Sequence, residues 1–129
     1  RAVELLRAVD LPVNSIGRYP HEFSGGQRQR ICIARALTLE PSLVIADEPV
    51  SALDVSVQAE ILELLESLRQ ERQLAFLFIS HDLAVVRNLC DRVAVMFHGT
   101  LVETGRVEEV IDRPKHAYTK KLLDAVPIF

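Results

Sequence analysis

Two adjacent carboxylates, Asp47 and Glu48, close the apolar run Leu43-Val44-Ile45-Ala46. Along a strand, successive side chains point to opposite faces, so the two can hold different jobs. One can reach a hydrated Mg²⁺ while the next faces an attacking water. Repulsion between them near a low-dielectric sheet end favours the protonated form of one, which suits a general base. An isolated Asp-Glu-Pro, taken alone, is better read as an acidic turn before Pro49. A second group is Ser24-Gly25-Gly26-Gln27. Two glycines at a helix start let a backbone approach an anion, with N–H groups and the positive dipole end aimed at it. The same four residues read equally as a capping box with a flexible lead-in. The third group is Ser80-His81-Asp82, after the apolar run Phe76-Leu77-Phe78-Ile79. A single histidine after a strand is more often structural than catalytic. His21, His98 and His116 have no metal-like spacing and receive no catalytic role.

Positioning these groups requires a folded core, and 129 residues with 49% apolar content suffice for one small domain. No segment approaches the roughly 20 apolar residues of a membrane helix, and no signal-peptide pattern opens the chain. The formal charge of −3 argues against general nucleic-acid binding, which needs a basic field. Arg28, Arg30 and Arg35 form a local basic cluster, read as a solvated helix face or as ion-pair partners. Cys32 and Cys90 sit in apolar helical stretches and are expected as small buried hydrophobes in a reducing compartment. The chain starts at Arg1 already in helical register, without Met, and is expected to be a piece of something longer.

The elements follow from periodicity and punctuation. Residues 2–9 predict a short amphipathic helix stopped at Asp10-Leu11-Pro12, then a polar loop through Asn14, Gly17 and Pro20. Ser24 is the N-cap of a helix running to about Glu40, closed by Pro41. Leu43–Ala46 and Leu74–Ile79 predict strands covered on both faces of a parallel sheet. Between them Val57, Ile61, Leu64, Leu65 and Leu68 mark the clearest helix. A shorter helix over 82–90, a strand over 93–97, and a turn at His98-Gly99 into a hairpin partner at 100–103 follow. Helices near 107–111 and 116–125 close the chain, separated by Pro114. Strand–helix–strand–helix–strand is an α/β plan with right-handed crossovers. Ligands of such sheets gather at the carboxyl ends of the strands, where Asp47-Glu48 and Ser80-His81 stand.

In this order, Phe23-Ser24-Gly25-Gly26-Gln27, Leu43-Val44-Ile45-Ala46-Asp47-Glu48-Pro49 and Ile79-Ser80-His81-Asp82 resemble the C-terminal half of an ATP-binding cassette (ABC) ATPase, a P-loop NTPase. The resemblance implies parallel core strands in an incomplete sheet. Residues 1–22 would end the helical subdomain, 23–106 would form half of the ATPase core, and 107–129 a C-terminal extension. Phe23 to Gln27 match the signature motif, with Phe23 where Leu is usual. That match implies that Ser24, Gly25, Gly26 and Gln27 contact an ATP held by a second ABC ATPase subunit in a head-to-tail dimer. By the same resemblance Asp47 assists Mg²⁺ through water, and Glu48 activates or orients the attacking water. Ser51-Ala52-Leu53-Asp54 matches the D-loop that crosses the dimer interface, although as bare sequence it is only another N-cap. His81 matches the switch histidine, which hydrogen-bonds the γ-phosphate. Positioning and charge stabilisation are the usual means of phosphoryl transfer.

Arg113-Pro114-Lys115-His116-Ala117-Tyr118-Thr119, with Leu122-Leu123 and Ala125-Val126-Pro127, is similar to the extension of peptide and nickel importer ATPases. Those usually read His-Pro-Tyr-Thr, and Ala117 replaces the proline. Tyr19-Pro20-His21-Glu22 also suits that group. The implied function is an ATP-hydrolysing subunit of an importer for oligopeptides, dipeptides or nickel. It would sit in the cytoplasm on the inner face of the membrane, bound to transmembrane permease subunits, with no nucleic acid and no insertion of its own. No G-x-x-x-x-G-K-[ST] occurs in the chain, so the isolated segment is expected to be inactive. In the family the Walker A strand lies between the strands matching 74–79 and 93–97. Its absence predicts exposed strand edges that drive self-association, or closure by a non-native pairing. Two other readings stand beside this one: a soluble ABC ATPase of DNA repair or translation, and a truncated, non-catalytic interaction module.

Overall fold

A computed structural model describes residues 1–125. It divides into two units, Arg1–Ile79 and a second that begins at Ser80. Val126 and Pro127, part of the tail motif, lie outside the described residues.

In the first unit, helix α1 (Ala2–Ala8) leads through two 3-10 turns, Val13–Gly17 and Pro20–Glu22, into α2 (Gly25–Ala36). The expected polar loop is therefore partly ordered, with the Tyr19 N–H donating to the Glu22 carboxylate at 2.6 Å. A 3-10 turn, Leu37–Leu39, extends α2, and Glu40 then adopts a left-handed backbone at φ 50° that ends the helix before Pro41. Strand β1 (Leu43–Asp47), helix α3 (Val55–Arg72) and strand β2 (Ala75–Ile79) follow. The two strands pair in parallel, with Leu43 opposite Ala75 and Asp47 opposite Ile79.

Ile61, Leu64, Leu65 and Leu68 are the buried residues of α3, at the spacing of one helical face. Leu64 and Leu68 join Leu5, Val9, Leu11, Ala34, Leu37 and Leu74 in one core cluster, with Val44 and Phe76 packed against it. Ile61 and Leu65 form a second cluster with Val50, flanked by Ile33, Leu53, Val57, Phe76 and Phe78. Thus alternate residues of β1 and β2 face the helices. The other row, Leu43, Ile45, Leu77 and Ile79, is exposed, Ile45 by 62%. These strands were expected to be covered on both faces and are covered on one, because within the first unit no described element packs on the second.

The second unit contains α4 (Leu83–Leu89), β3 (Arg92–Phe97), β4 (Thr100–Arg106), α5 (Val107–Asp112) and α6 (Ala117–Asp124). The Asp82 carboxylate caps α4 by accepting from the N–H groups of Ala84 (2.9 Å) and Val85 (3.3 Å). Strands β3 and β4 pair antiparallel around His98 and Gly99, whose φ values of 47° and 77° suit a tight two-residue turn. Among the described residues the strands form two two-stranded sheets, β1 with β2 and β3 with β4. The expected incomplete, parallel α/β core is present. Cys32 corrects an expectation: it is exposed, and Cys90 is half-buried at the end of α4. The buried stripe of α2 runs through Ala34 instead. No described helix is long and apolar enough to cross a membrane.

The tail is tied to the hairpin by one carboxylate. Glu103 on β4 accepts from the N–H groups of Lys115 (2.8 Å) and His116 (3.0 Å). The Thr119 hydroxyl, then these two amides, hold its carboxyl down at about 2, from an ordinary 4.5. The hydroxyl has no partner within strict hydrogen-bonding geometry, so the two amide bonds are the firmer contacts. Because the folded value is depressed, this stabilisation is complete above the unfolded value of 4.5 and disappears as pH falls towards about 2. Amide exchange at Lys115 and His116 should therefore accelerate relative to the hairpin across that window. Glu103→Gln should flatten the dependence, and an unchanged profile in that variant would remove Glu103 as its cause.

Candidate functional site

Ser24 stands at the head of α2 with extended backbone, φ −65° and ψ 167°. Its Oγ accepts from the Gln27 N–H at 3.3 Å, while Gln27 Oε1 accepts from the Ser24 N–H at 3.1 Å. The expected capping box is formed. Helix geometry leaves the N–H groups of Gly25 and Gly26 without acceptors inside the helix, pointing along its positive end. Ser24 and Gly25 are exposed, and Gly26 and Gln27 are half-buried. Phe23 before them is buried. The Arg18 guanidinium lies 4.4 Å from its ring centroid, and Arg28 Nε donates to its carbonyl at 3.1 Å. Neither arginine was legible as a support for the turn, since nothing in their spacing separates them from surface charges.

Asp47 is the exposed last residue of β1. Glu48 is half-buried and leaves the strand: its φ is 47°, in the left-handed region. Strand alternation therefore does not set its direction, as it was expected to; the left-handed turn does. That turn is held on both sides. The Glu48 N–H donates to the Ile79 carbonyl at 2.9 Å, and its own carbonyl accepts from the Ser51 N–H (3.4 Å) and Oγ (3.2 Å). Pro49 and Val50, both buried, fasten the next residues to the core. A non-glycine residue over-determined in this conformation is a common mark of a functional position.

Asp54 occupies the N-cap position of α3 without a side-chain capping bond. Leu53 and Val57 flank it and lie against Gly25 and Gly26 respectively, so the structure brings the expected D-loop and signature segments together within the first unit. His81 belongs to the second unit, exposed, two residues beyond the end of β2. The neighbouring Ser80 Oγ accepts from the Asp82 N–H at 3.0 Å.

Within the basic cluster of Arg28, Arg30 and Arg35, Arg28 and Arg30 take separate roles. Arg30, with only 14% of its side chain exposed, donates to the Val9 carbonyl (3.0 Å) and pairs with Asp10 (3.3 Å) and Glu60 (3.4 Å). It borders a polar groove of about 320 Å³ that also involves Arg7, Glu63 and Glu71 but none of the candidate residues. Among the described residues no three His, Cys, Asp or Glu side chains are grouped to hold a metal.

Residues 1–51 match the ABC transporter family, and residues 102–129 match the oligopeptide/dipeptide transporter C-terminal region. The chain is 60% identical over 125 residues to the oligopeptide transport ATP-binding protein AppF of Bacillus subtilis, covering 97% of this chain and 38% of AppF. Among solved structures, the ADP conformation of MJ1267, an ATP-binding cassette of an ABC transporter, matches with a TM-score of 0.80 and 27% identity. That match covers 97% of this chain and 49% of MJ1267. The dimeric cassette MJ0796, bound to ADP and Pi, matches with a TM-score of 0.68 and 32% identity, over 81% of this chain and 44% of its own. The chain thus spans about two fifths of the length of the curated relatives it matches. Its fold is that of ABC ATPase domains, and its two matched regions are those of an ABC transporter ATP-binding domain and of the oligopeptide/dipeptide transporter C-terminal region.

Proposed function

We propose that the protein carrying this segment is the ATP-hydrolysing, energy-coupling subunit of an importer for oligopeptides or dipeptides, with nickel as the alternative substrate. The tail carries this reading: residues 102–129 match a region defined by peptide transporters, on a chain 60% identical to an oligopeptide transport ATP-binding protein. In this reading residues 1–22 end the helical subdomain, 23–106 belong to the ATPase core and 107–129 form the transporter-specific extension.

Each site residue then has a task. The start of α2, from Ser24 through Gly25 and Gly26 to Gln27, presents N–H groups to the terminal phosphate of an ATP held by a second subunit. Glu48 orients and deprotonates the attacking water, and His81 donates a hydrogen bond to the same phosphate. Asp54 crosses to the second subunit. Asp47, one exposed carboxylate at a strand end, fits a hydrated Mg²⁺ shared with nucleotide phosphates and not a protein-only cage. Mg²⁺, when bound, supplies charge neutralisation at the phosphates. Dimeric MJ0796 supports the paired arrangement. Transmembrane permease subunits would be the remaining partners, placing the protein peripherally on the inner face of the membrane.

The test is uptake. Cells lacking the gene should lose ATP-dependent import of short radiolabelled peptides and regain it on complementation. Retained peptide uptake with lost nickel uptake would move the assignment to the metal, and retention of both would remove it.

A further inference from the structure

Position 26 has no room for a side chain. A β-carbon there would lie 2.6 Å from Val57 Cγ1, closer than carbons pack, whereas one at Gly25 would meet Leu53 Cδ2 at an ordinary 3.5 Å. Gly99 is the only described glycine at positive φ, so Gly26 is required for space and not for backbone freedom. Val57 cannot easily swing aside. It is β-branched in a helix, where one side-chain rotamer dominates, and it packs with Leu53 against Val50, Ile61 and Leu65. The same cluster takes in Ile33 of α2 and Phe78 of β2. The first turns of α3 are therefore a fixed shelf under the first turn of α2.

We propose that Val57 is a positioning residue: its γ-methyl group sets the depth at which the Ser24–Gln27 turn rests, and so where its N–H groups stand relative to a bound phosphate. The proposal deepens the functional reading above and rests on it. It makes positions 26 and 57 complementary in size. A methyl group added at 26 lifts the turn off its shelf, and removing the γ-carbons at 57 makes room for it again.

The experiment measures kcat/KM for ATP per folded molecule, in the native gene product assembled with its partner subunits, below the melting temperature of every variant. Gly26→Ala should lower kcat/KM on the order of 10²-fold, the cost of a misplacement near 1 Å. Gly26→Ala with Val57→Ala should recover most of that loss, and Val57→Ala alone should shift kcat/KM by roughly tenfold while far-ultraviolet circular dichroism stays unchanged. A merely structural contact would change the folded fraction and leave kcat/KM per folded molecule alone. Parental kcat/KM in Gly26→Ala, or a double variant no better than the single one, overturns the proposal. If Gly26→Ala does not fold, parental kcat/KM in Val57→Ala overturns it. Gly25→Asp separates the two levels. An inactive Gly25→Asp beside a parental Gly26→Ala removes only the role of Val57, whereas a parental Gly25→Asp removes the nucleotide contact and the proposal with it.

Discussion

Glu48→Gln, in the gene product that carries this segment, is expected to lower ATP turnover by about 10²- to 10⁴-fold while nucleotide affinity changes little. The substitution is nearly isosteric. It keeps the left-handed turn, the 2.9 Å bond from the residue 48 N–H to the Ile79 carbonyl and the bonds from Ser51, so the β1 end retains its shape. What it removes is a negative charge and a proton acceptor. Steady-state turnover beside equilibrium nucleotide binding reads the two effects separately. Turnover within about threefold of the parent would take the water-activating role away from Glu48. The isolated 129-residue segment, without a G-x-x-x-x-G-K-[ST] loop, should show no turnover in the same assay.

The largest stability effect is expected at Leu68. It is 1% exposed and packs in the cluster formed with Leu5, Val9, Leu11, Leu37, Leu64 and Leu74. Leu68→Ala should cost about 2–5 kcal/mol, from the lost transfer energy of the side chain and the cavity that α1, α2 and α3 cannot fully close. Against a typical domain stability of about 5–15 kcal/mol, that is enough to populate the unfolded first unit measurably. Urea unfolding followed by circular dichroism gives the difference. Leu39→Ala is the control, because Leu39 is 90% exposed and should change stability by less than about 0.5 kcal/mol. Equal effects at the two positions would mean that the α1–α3 core is not the one described.

The parts of the fold that were legible are those set by local chemistry. Ser24 and Gln27 announce a capping box at the correct spacing, and the two reciprocal bonds are present. The α3 face and the His98-Gly99 turn are likewise written in short-range patterns. What escaped depends on contacts distant in sequence. Cys32 sits among apolar neighbours yet is exposed, because α2 turns Ala34 inward and presents position 32 outward. The direction of Glu48 follows from a bond to Ile79, thirty-one residues away, that overrides the alternation of β1. The family motifs drew attention to the glycines at 25 and 26, but only the crossing of α2 and α3 distinguishes them. One tolerates a β-carbon and the other does not.

The φ of 47° at Glu48 sets selection for durability against selection for chemistry at a single position. Left-handed backbone costs an L-residue roughly 1–2 kcal/mol, a penalty that glycine escapes. A lineage drifting towards thermal hardiness would gain by discarding the carboxylate. Glutamate at this point is therefore a standing concession of the scaffold, offset by the buried Pro49 and Val50 beside it. Stabilised variants that gain glycine at position 48 would be sturdier proteins with the acid removed from the end of β1.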